Sequence, residues 1–96
     1  MKEPAIYIVA NKKNGTLYTG VTSNLAQRMI QHKKSLIQGF SKKYGCTKLV
    51  YYEVFETMFD AISREKQIKA KKRKNKVEII ESKNPEWNDL YEILFK

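Results

Sequence analysis

Five side chains in this sequence of 96 residues have the chemistry that a reaction at a phosphodiester requires: Tyr7, Tyr18, Arg28, His32 and Glu65. Such a reaction needs an activated water, a counter-charge for the phosphate and relief of charge on the leaving oxygen. Tyr18 is the candidate for activating water, provided cationic neighbours lower a phenol pKa that is ordinarily roughly 10. Read from composition alone, Tyr7 and Tyr18 are ordinary half-buried strand residues. Arg28 and His32 are four positions apart, which on a helix puts them on one face a turn apart. The planar guanidinium suits a phosphate, and an imidazole can donate to one or shuttle a proton, although His32 fits a structural role equally well. Leu25 and Met29 flank Arg28 and draw it toward a pocket. Glu65 follows Ala61 and Ile62 and precedes Ile68, a spacing that sets it on the apolar face of its helix. A carboxylate there must be paired or must coordinate a cation. One Mg²⁺ or Mn²⁺, weakly held until substrate and water complete its shell, is one solution, and an ion pair with Arg28 is the other.

Charge points to the partner. The chain carries a net charge of +9 and it is polarised: residues 1–76 hold 17 basic and 5 acidic side chains, residues 77–96 hold 2 and 5. Eight of the 19 basic residues lie between Arg64 and Lys76. A second cluster, Lys33, Lys34, Lys42, Lys43 and Lys48, is interleaved with Phe40 and Tyr44. One lysine-rich helix alone is usually a solvated face, but two clusters with aromatics between them favour a phosphate-rich partner. Lys33, Lys42, Lys43, Lys69, Lys71, Lys72, Arg73 and Lys74 are the candidate phosphate contacts. DNA is the expected ligand, and RNA is the alternative, because a basic groove meets phosphates on either polymer. A membrane surface fits less well, since no wide apolar face accompanies these charges. Neither a membrane-length apolar run nor a leader pattern is visible, so a cytoplasmic location is expected. Cys46 is the single cysteine, with no partner for an internal disulfide, and reads as a buried or semi-buried thiol.

The elements that would position these residues follow from the punctuation. Residues 5–10, AIYIVA, form an apolar β-branched run, Asn14-Gly15 supplies a turn, and TLYTGV reads as a second strand, giving a hairpin. Leu25, Met29, His32 and Leu36 recur at helical spacing over 24–37, and Gly39 ends that helix. KLVYYEVF is a third strand. Thr57 and Asp60 open a helix that runs into the low seventies on a stripe of Met58, Ile62 and Ile68, which Val77, Ile79 and Ile80 do not continue. Asn84-Pro85-Glu86 reads as cap and first turn of a final helix holding Trp87 and Tyr91. The expectation is one α+β domain over 1–96, ordered β-β-α-β-α-α-α, with a small, mainly antiparallel, three-stranded sheet flanked by helices.

Ile6-Tyr7 and Tyr18-Thr19-Gly20, with the two tyrosines eleven positions apart, resemble the paired motifs of the GIY-YIG nuclease superfamily. Arg28 follows Tyr18 by ten, His32 lies four further on, and Glu65 falls on the helix after the third strand, where the family places its metal ligand. Together with GFSKKYG, LVYYE, AISREKQIK and NPEWNDLY, these fragments resemble the small stand-alone branch over nearly the whole chain. Departures are Ala5 for the motif's Gly, Thr19 for its Ile, Val21 for a lysine carried by some relatives, and Val77 for an Asn beyond the metal-site Glu. The resemblance implies a metal-dependent endonuclease acting on DNA, with Tyr7, Tyr18, Arg28 and His32 catalytic and Glu65 on the metal. So small a footprint implies low sequence specificity. The second reading is a binding module that keeps the pocket without turnover, or that needs a partner.

Overall fold

The computed structural model describes residues 3–34 and 43–95. The expected Lys42 contact, and the end of the first helix around Leu36 and Gly39, lie outside the described residues.

The six residues of β1 (Ala5–Ala10) are all buried, because this strand is central in a three-stranded antiparallel sheet ordered β2-β1-β3. Strand β2 spans Leu17–Thr22 and β3 spans Lys48–Val54. Antiparallel sheets usually keep one face wet and alternate accordingly. The unbroken apolar run of β1 reflects helices on both of its faces. On one face Ile6, Ile8 and Ala10 pack with Val50, Tyr51, Ala61, Ile68, Ile80 and Trp87. On the other Ala5, Tyr7 and Val9 pack with Leu25, Met29, Cys46 and Leu49. A register shift between Ile8, opposite Tyr51, and Val9, opposite Leu49, leaves Val50 as a bulge residue, and both Val50 and Tyr51 join the first cluster.

Helix α1 (Leu25–Lys33) begins at Asn24, whose side chain accepts from the Gln27 amide at 3.2 Å, while the Thr22 hydroxyl accepts from the Asn24 amide at 3.1 Å. Leu25, Met29 and His32, at the spacing of one apolar stripe, are its buried residues. Helix α2 (Met58–Ala70) starts at Thr57, which accepts from the Asp60 amide at 3.1 Å. Its buried side chains are Ala61 and Ile68, whereas Met58 and Ile62 are exposed, so the expected stripe is rotated by part of a turn. Extended backbone at Lys71 and Lys72 separates α2 from α3 (Arg73–Lys83). The Arg73 guanidinium bonds the carbonyls of Asn14 and Gly15 at 2.9 and 2.7 Å, tying the start of α3 to the β1–β2 turn.

The last helix, α4 (Leu90–Leu94), starts later than Asn84-Pro85 suggests. Asn84 cannot cap it because its side chain is consumed elsewhere: its amide donates to the carbonyls of Val50 and Asn88, and its oxygen accepts from the Asn88 amide. The chain turns there with Trp87 at φ 57, outside any helix, its indole fully buried and donating to Glu81 at 2.7 Å. Asp89 caps α4 instead, accepting from the Tyr91 amide at 3.1 Å. The element order is β-β-α-β-α-α-α, an α+β arrangement. No helix among the described residues is long and apolar enough to cross a membrane.

Candidate active site

Register builds the site. Tyr7 is opposite Gly20 and Tyr18 is opposite Val9, so strand alternation sends both phenols to the face covered by α1. Gly20 is what admits the Tyr7 ring: a Cβ on residue 20 would sit 2.4 Å from the Tyr7 Oη and Cζ. Helix α1 delivers His32 to the same place, with Nε2 2.9 Å from the Tyr7 Oη. The three rings form a triangle, with centroids 6.5 Å apart for the tyrosines, 5.3 Å for Tyr7 and His32, and 5.6 Å for Tyr18 and His32.

Electrostatics then fixes the charge states. Burial pushes the Tyr7 phenol up to about 12, against the pull of the Arg28 guanidinium hydrogen-bonded to it. Burial, and after it the Arg28 charge, pushes the His32 imidazole down to about 4. Near neutrality Tyr7 is therefore protonated and His32 uncharged. In their hydrogen bond the phenol donates to Nε2 when the neutral imidazole carries its proton on Nδ1, and accepts from Nε2 in the other tautomer. Tyr18 is half-buried where Tyr7 is fully buried, so Tyr18 is the phenol with access to a bound molecule.

Glu65 completes the group from α2. Its charge raises the Tyr7 pKa, as the nearby Tyr18 does, so Arg28, Tyr18 and Glu65 all act on one phenol. The Glu65 side chain is 13% exposed and its ion partner is Lys69, at 2.9 Å and one turn further along α2. The ion pair with Arg28, the alternative to a cation read from the sequence, is not formed, since Arg28 is engaged with Tyr7. The Lys69 side chain is 51% exposed, free enough to swing away without leaving a buried cation behind. No group of three His, Cys, Asp or Glu side chains close enough to cage a metal exists among the described residues. Glu65 alone fits a hard divalent cation that keeps most of its water, since it offers one oxygen donor at the edge of solvent.

The basic residues divide. Lys71, Lys72 and Lys74 are exposed around the α2–α3 break, and Lys43 is exposed with its ammonium 5.4 Å from the Tyr44 ring centroid. Arg73 holds the hairpin turn and Lys69 holds Glu65. Lys33 is held by Asp89 at 2.6 Å and the Thr47 carbonyl at 3.1 Å, and lies over the Tyr91 ring. Two roles escaped the sequence reading, which placed Lys69 among the phosphate contacts and Gly20 only in the second tyrosine motif. Lys69 was recoverable as a partner of Glu65 from Glu-to-Lys spacing along a helix. The part played by Gly20 depends on cross-strand register, which no local pattern supplies.

The GIY-YIG catalytic domain matches residues 3–78, and the chain belongs to the GIY-YIG family. A UPF0213 protein of Clostridium perfringens is 40% identical over 72 residues, spanning 75% of this chain and 77% of the relative. One from Staphylococcus saprophyticus is 36% identical over 80 residues, spanning 83% of this chain and 96% of the relative. The solution NMR structure of a UPF0213 protein from Bacillus halodurans shares the fold at TM-score 0.56 and 19% identity, covering 97% of this chain and 99% of that one. Family membership implies nuclease-type chemistry and a nucleic-acid substrate, and GIY-YIG nucleases generally depend on a divalent metal.

Proposed function

We propose that this protein is a metal-dependent endonuclease that hydrolyses phosphodiester bonds in DNA with low sequence specificity, the whole chain acting as one domain. The observation that carries the reading is the convergence of Arg28, Tyr18, His32 and Glu65 around the Tyr7 phenol, from two strands and two helices. Arg28 sets its cationic fork against the scissile phosphate. Tyr18 is the general base that takes the proton of the attacking water as the new P–O bond forms and the bond to the leaving oxygen breaks. Tyr7 and His32 form the buried pair that orients Arg28 and fixes the wall of the site. Glu65 would hold one Mg²⁺ or Mn²⁺, whose chemistry there is to offset charge on the phosphate and on the leaving oxygen.

Cleavage of labelled branched, nicked, single-stranded and duplex DNA, in Mg²⁺, Mn²⁺ or EDTA, tests the reading. Glu65→Ala is expected to abolish metal-dependent cleavage while DNA affinity stays the same or rises slightly, because a negative charge leaves a basic surface; cleavage retained by the purified variant would remove Glu65 from the metal. Tyr18→Phe keeps the ring and deletes the hydroxyl, and is expected to slow the chemical step ~10²-fold or more in single-turnover measurements. A fully active Tyr18→Phe enzyme returns Tyr18 to a packing role. A binding module without turnover draws on the Glu65–Lys69 ion pair, which satisfies the carboxylate with no cation. Binding with no cleavage under any metal decides for it.

A further inference from the structure

Helix α2 leaves one face exposed that solvation alone does not explain. Side chains seven, four or three positions apart on a helix are neighbours. Outward from Glu65, that rule lays down Met58, Lys69, Ile62, Lys66 and Phe59 as one continuous stripe, apolar and cationic residues alternating. The apolar members are all exposed: Met58 37%, Ile62 38% and Phe59 78%. Single exposed apolar residues are ordinary, but three adjoining ones interleaved with two exposed lysines form one continuous patch of the kind that marks interaction sites. Its inner end is the Glu65 carboxylate, so whatever lies on it continues into the candidate site.

The occupant must be anionic along its length and apolar in places. A nucleic-acid strand with a base out of the stack has that chemistry: phosphates for Lys66 and Lys69, and an aromatic face for Phe59, with Met58 and Ile62 beneath it. An intact duplex meets only the lysines, because its base faces are covered by their neighbours. A protein partner that buried the apolar residues would also have to bury the two ammonium groups among them, at a desolvation cost.

We propose that this face of α2 is a stacking platform for an unpaired base beside the scissile phosphate, and that the preferred substrate is single-stranded or carries an unpaired segment. The inference rests on the endonuclease reading for its placement, yet it can be tested by binding alone. In EDTA, where no metal-dependent cleavage occurs, fluorescence anisotropy is measured on one labelled mixed-sequence strand, free and annealed to its complement. Phe59 is exposed, so Phe59→Ala leaves the fold intact, which circular dichroism verifies. Stacking of one base is lost at a cost of about 1–3 kcal/mol, which predicts single-strand affinity lower by roughly 5- to 150-fold. Duplex affinity and the salt dependence on both ligands are expected to be unchanged, since no charge is removed. Phe59→Trp keeps a stacking surface and is expected to keep single-strand affinity, and 2-aminopurine in the strand is expected to lose fluorescence on binding the parent protein but not the Phe59→Ala variant. Equal losses on strand and duplex, or none on either, overturn the proposal, as does a Phe59→Ala effect confined to self-association in sedimentation. Absence of cleavage in Mg²⁺ beside a selective single-strand loss strikes the endonuclease reading and leaves the platform standing.

Discussion

Tyr7 and His32 divide the work of the buried pair by protonation state. The Tyr7 phenol can donate to Nε2 only while the imidazole is neutral, and Arg28 together with burial keeps it neutral well below the usual histidine range. That preference is also a stability term. The folded pKa is about 4 against the ordinary 6.5, so the unfolded chain takes up the proton first as pH falls. The contribution is fully present above 6.5 and is lost between 6.5 and about 4, for a total of about 3 kcal/mol. Denaturant unfolding between neutrality and the acid end of that window is expected to show this loss in the parent protein. His32→Gln keeps a polar side chain without the titration, and its stability is expected to be lower near neutrality but flatter over the same window. Parallel curves for the two proteins would mean that His32 titrates normally in the fold. In sequence terms, the types and spacing of Tyr7, Tyr18, Arg28, His32 and Glu65 were legible, but their division into a buried pair and an accessible phenol was not. That division depends on which strand is central, and the three-stranded order β2-β1-β3 buries Tyr7 while leaving Tyr18 at the edge.

At the scale of the element, local signals read correctly where one residue had one local job. Thr57 opens its helix as its position suggests, and Asn14, at φ 59, makes the hairpin turn. The Met58 and Ile62 stripe was misread because exposed apolar residues on α2 have the same periodicity as buried ones, and only packing against β1 and β2 distinguishes them. Asn84 was misread for a different reason. It carries the signature of a helix start, but its side chain crosses to β3, where the Val50 carbonyl is left on the outer edge of the sheet. The same amide group holds Asn88 from both sides, and Asp89 then accepts from the Leu49 amide at 3.2 Å. The loop thus closes part of an edge strand that otherwise offers free backbone groups. Asn84→Ala leaves those partners without their bonds in a site where Asn84 is 4% exposed. A cost of about 3 kcal/mol in chemical unfolding is expected, with the denaturant slope unchanged. A loss within a few tenths of a kcal/mol would show that water replaces the side chain at no cost.

Across the whole molecule, charge is arranged rather than merely abundant. The acidic residues from Glu78 onward lie in the α3–α4 half, where Asp89 neutralises Lys33 against β3, while Lys71, Lys72 and Lys74 stand exposed at the α2–α3 break. Arg73, between them, is anchored to the β1–β2 turn, so these lysines project from a fixed corner of the fold close in sequence to the helix that carries Glu65. If they face backbone phosphates, each contact releases condensed counterions on binding, and affinity falls with salt at a log–log slope of about −0.9 per phosphate neutralised on duplex DNA. Lys71→Gln/Lys72→Gln is then expected to make that slope shallower by roughly 1–2 and to weaken binding to unrelated sequences about equally, because phosphate contacts carry no base information. A merely solvated corner behaves differently: the remaining positive charges would still attract DNA at long range, but with slope and affinity unchanged within error. Binding of parent and double variant across a salt series, on two unrelated duplexes in EDTA, separates these outcomes independently of turnover. An unchanged slope would remove this corner from the nucleic-acid interface, and a loss confined to one of the two sequences would assign the lysines to base recognition instead of the backbone.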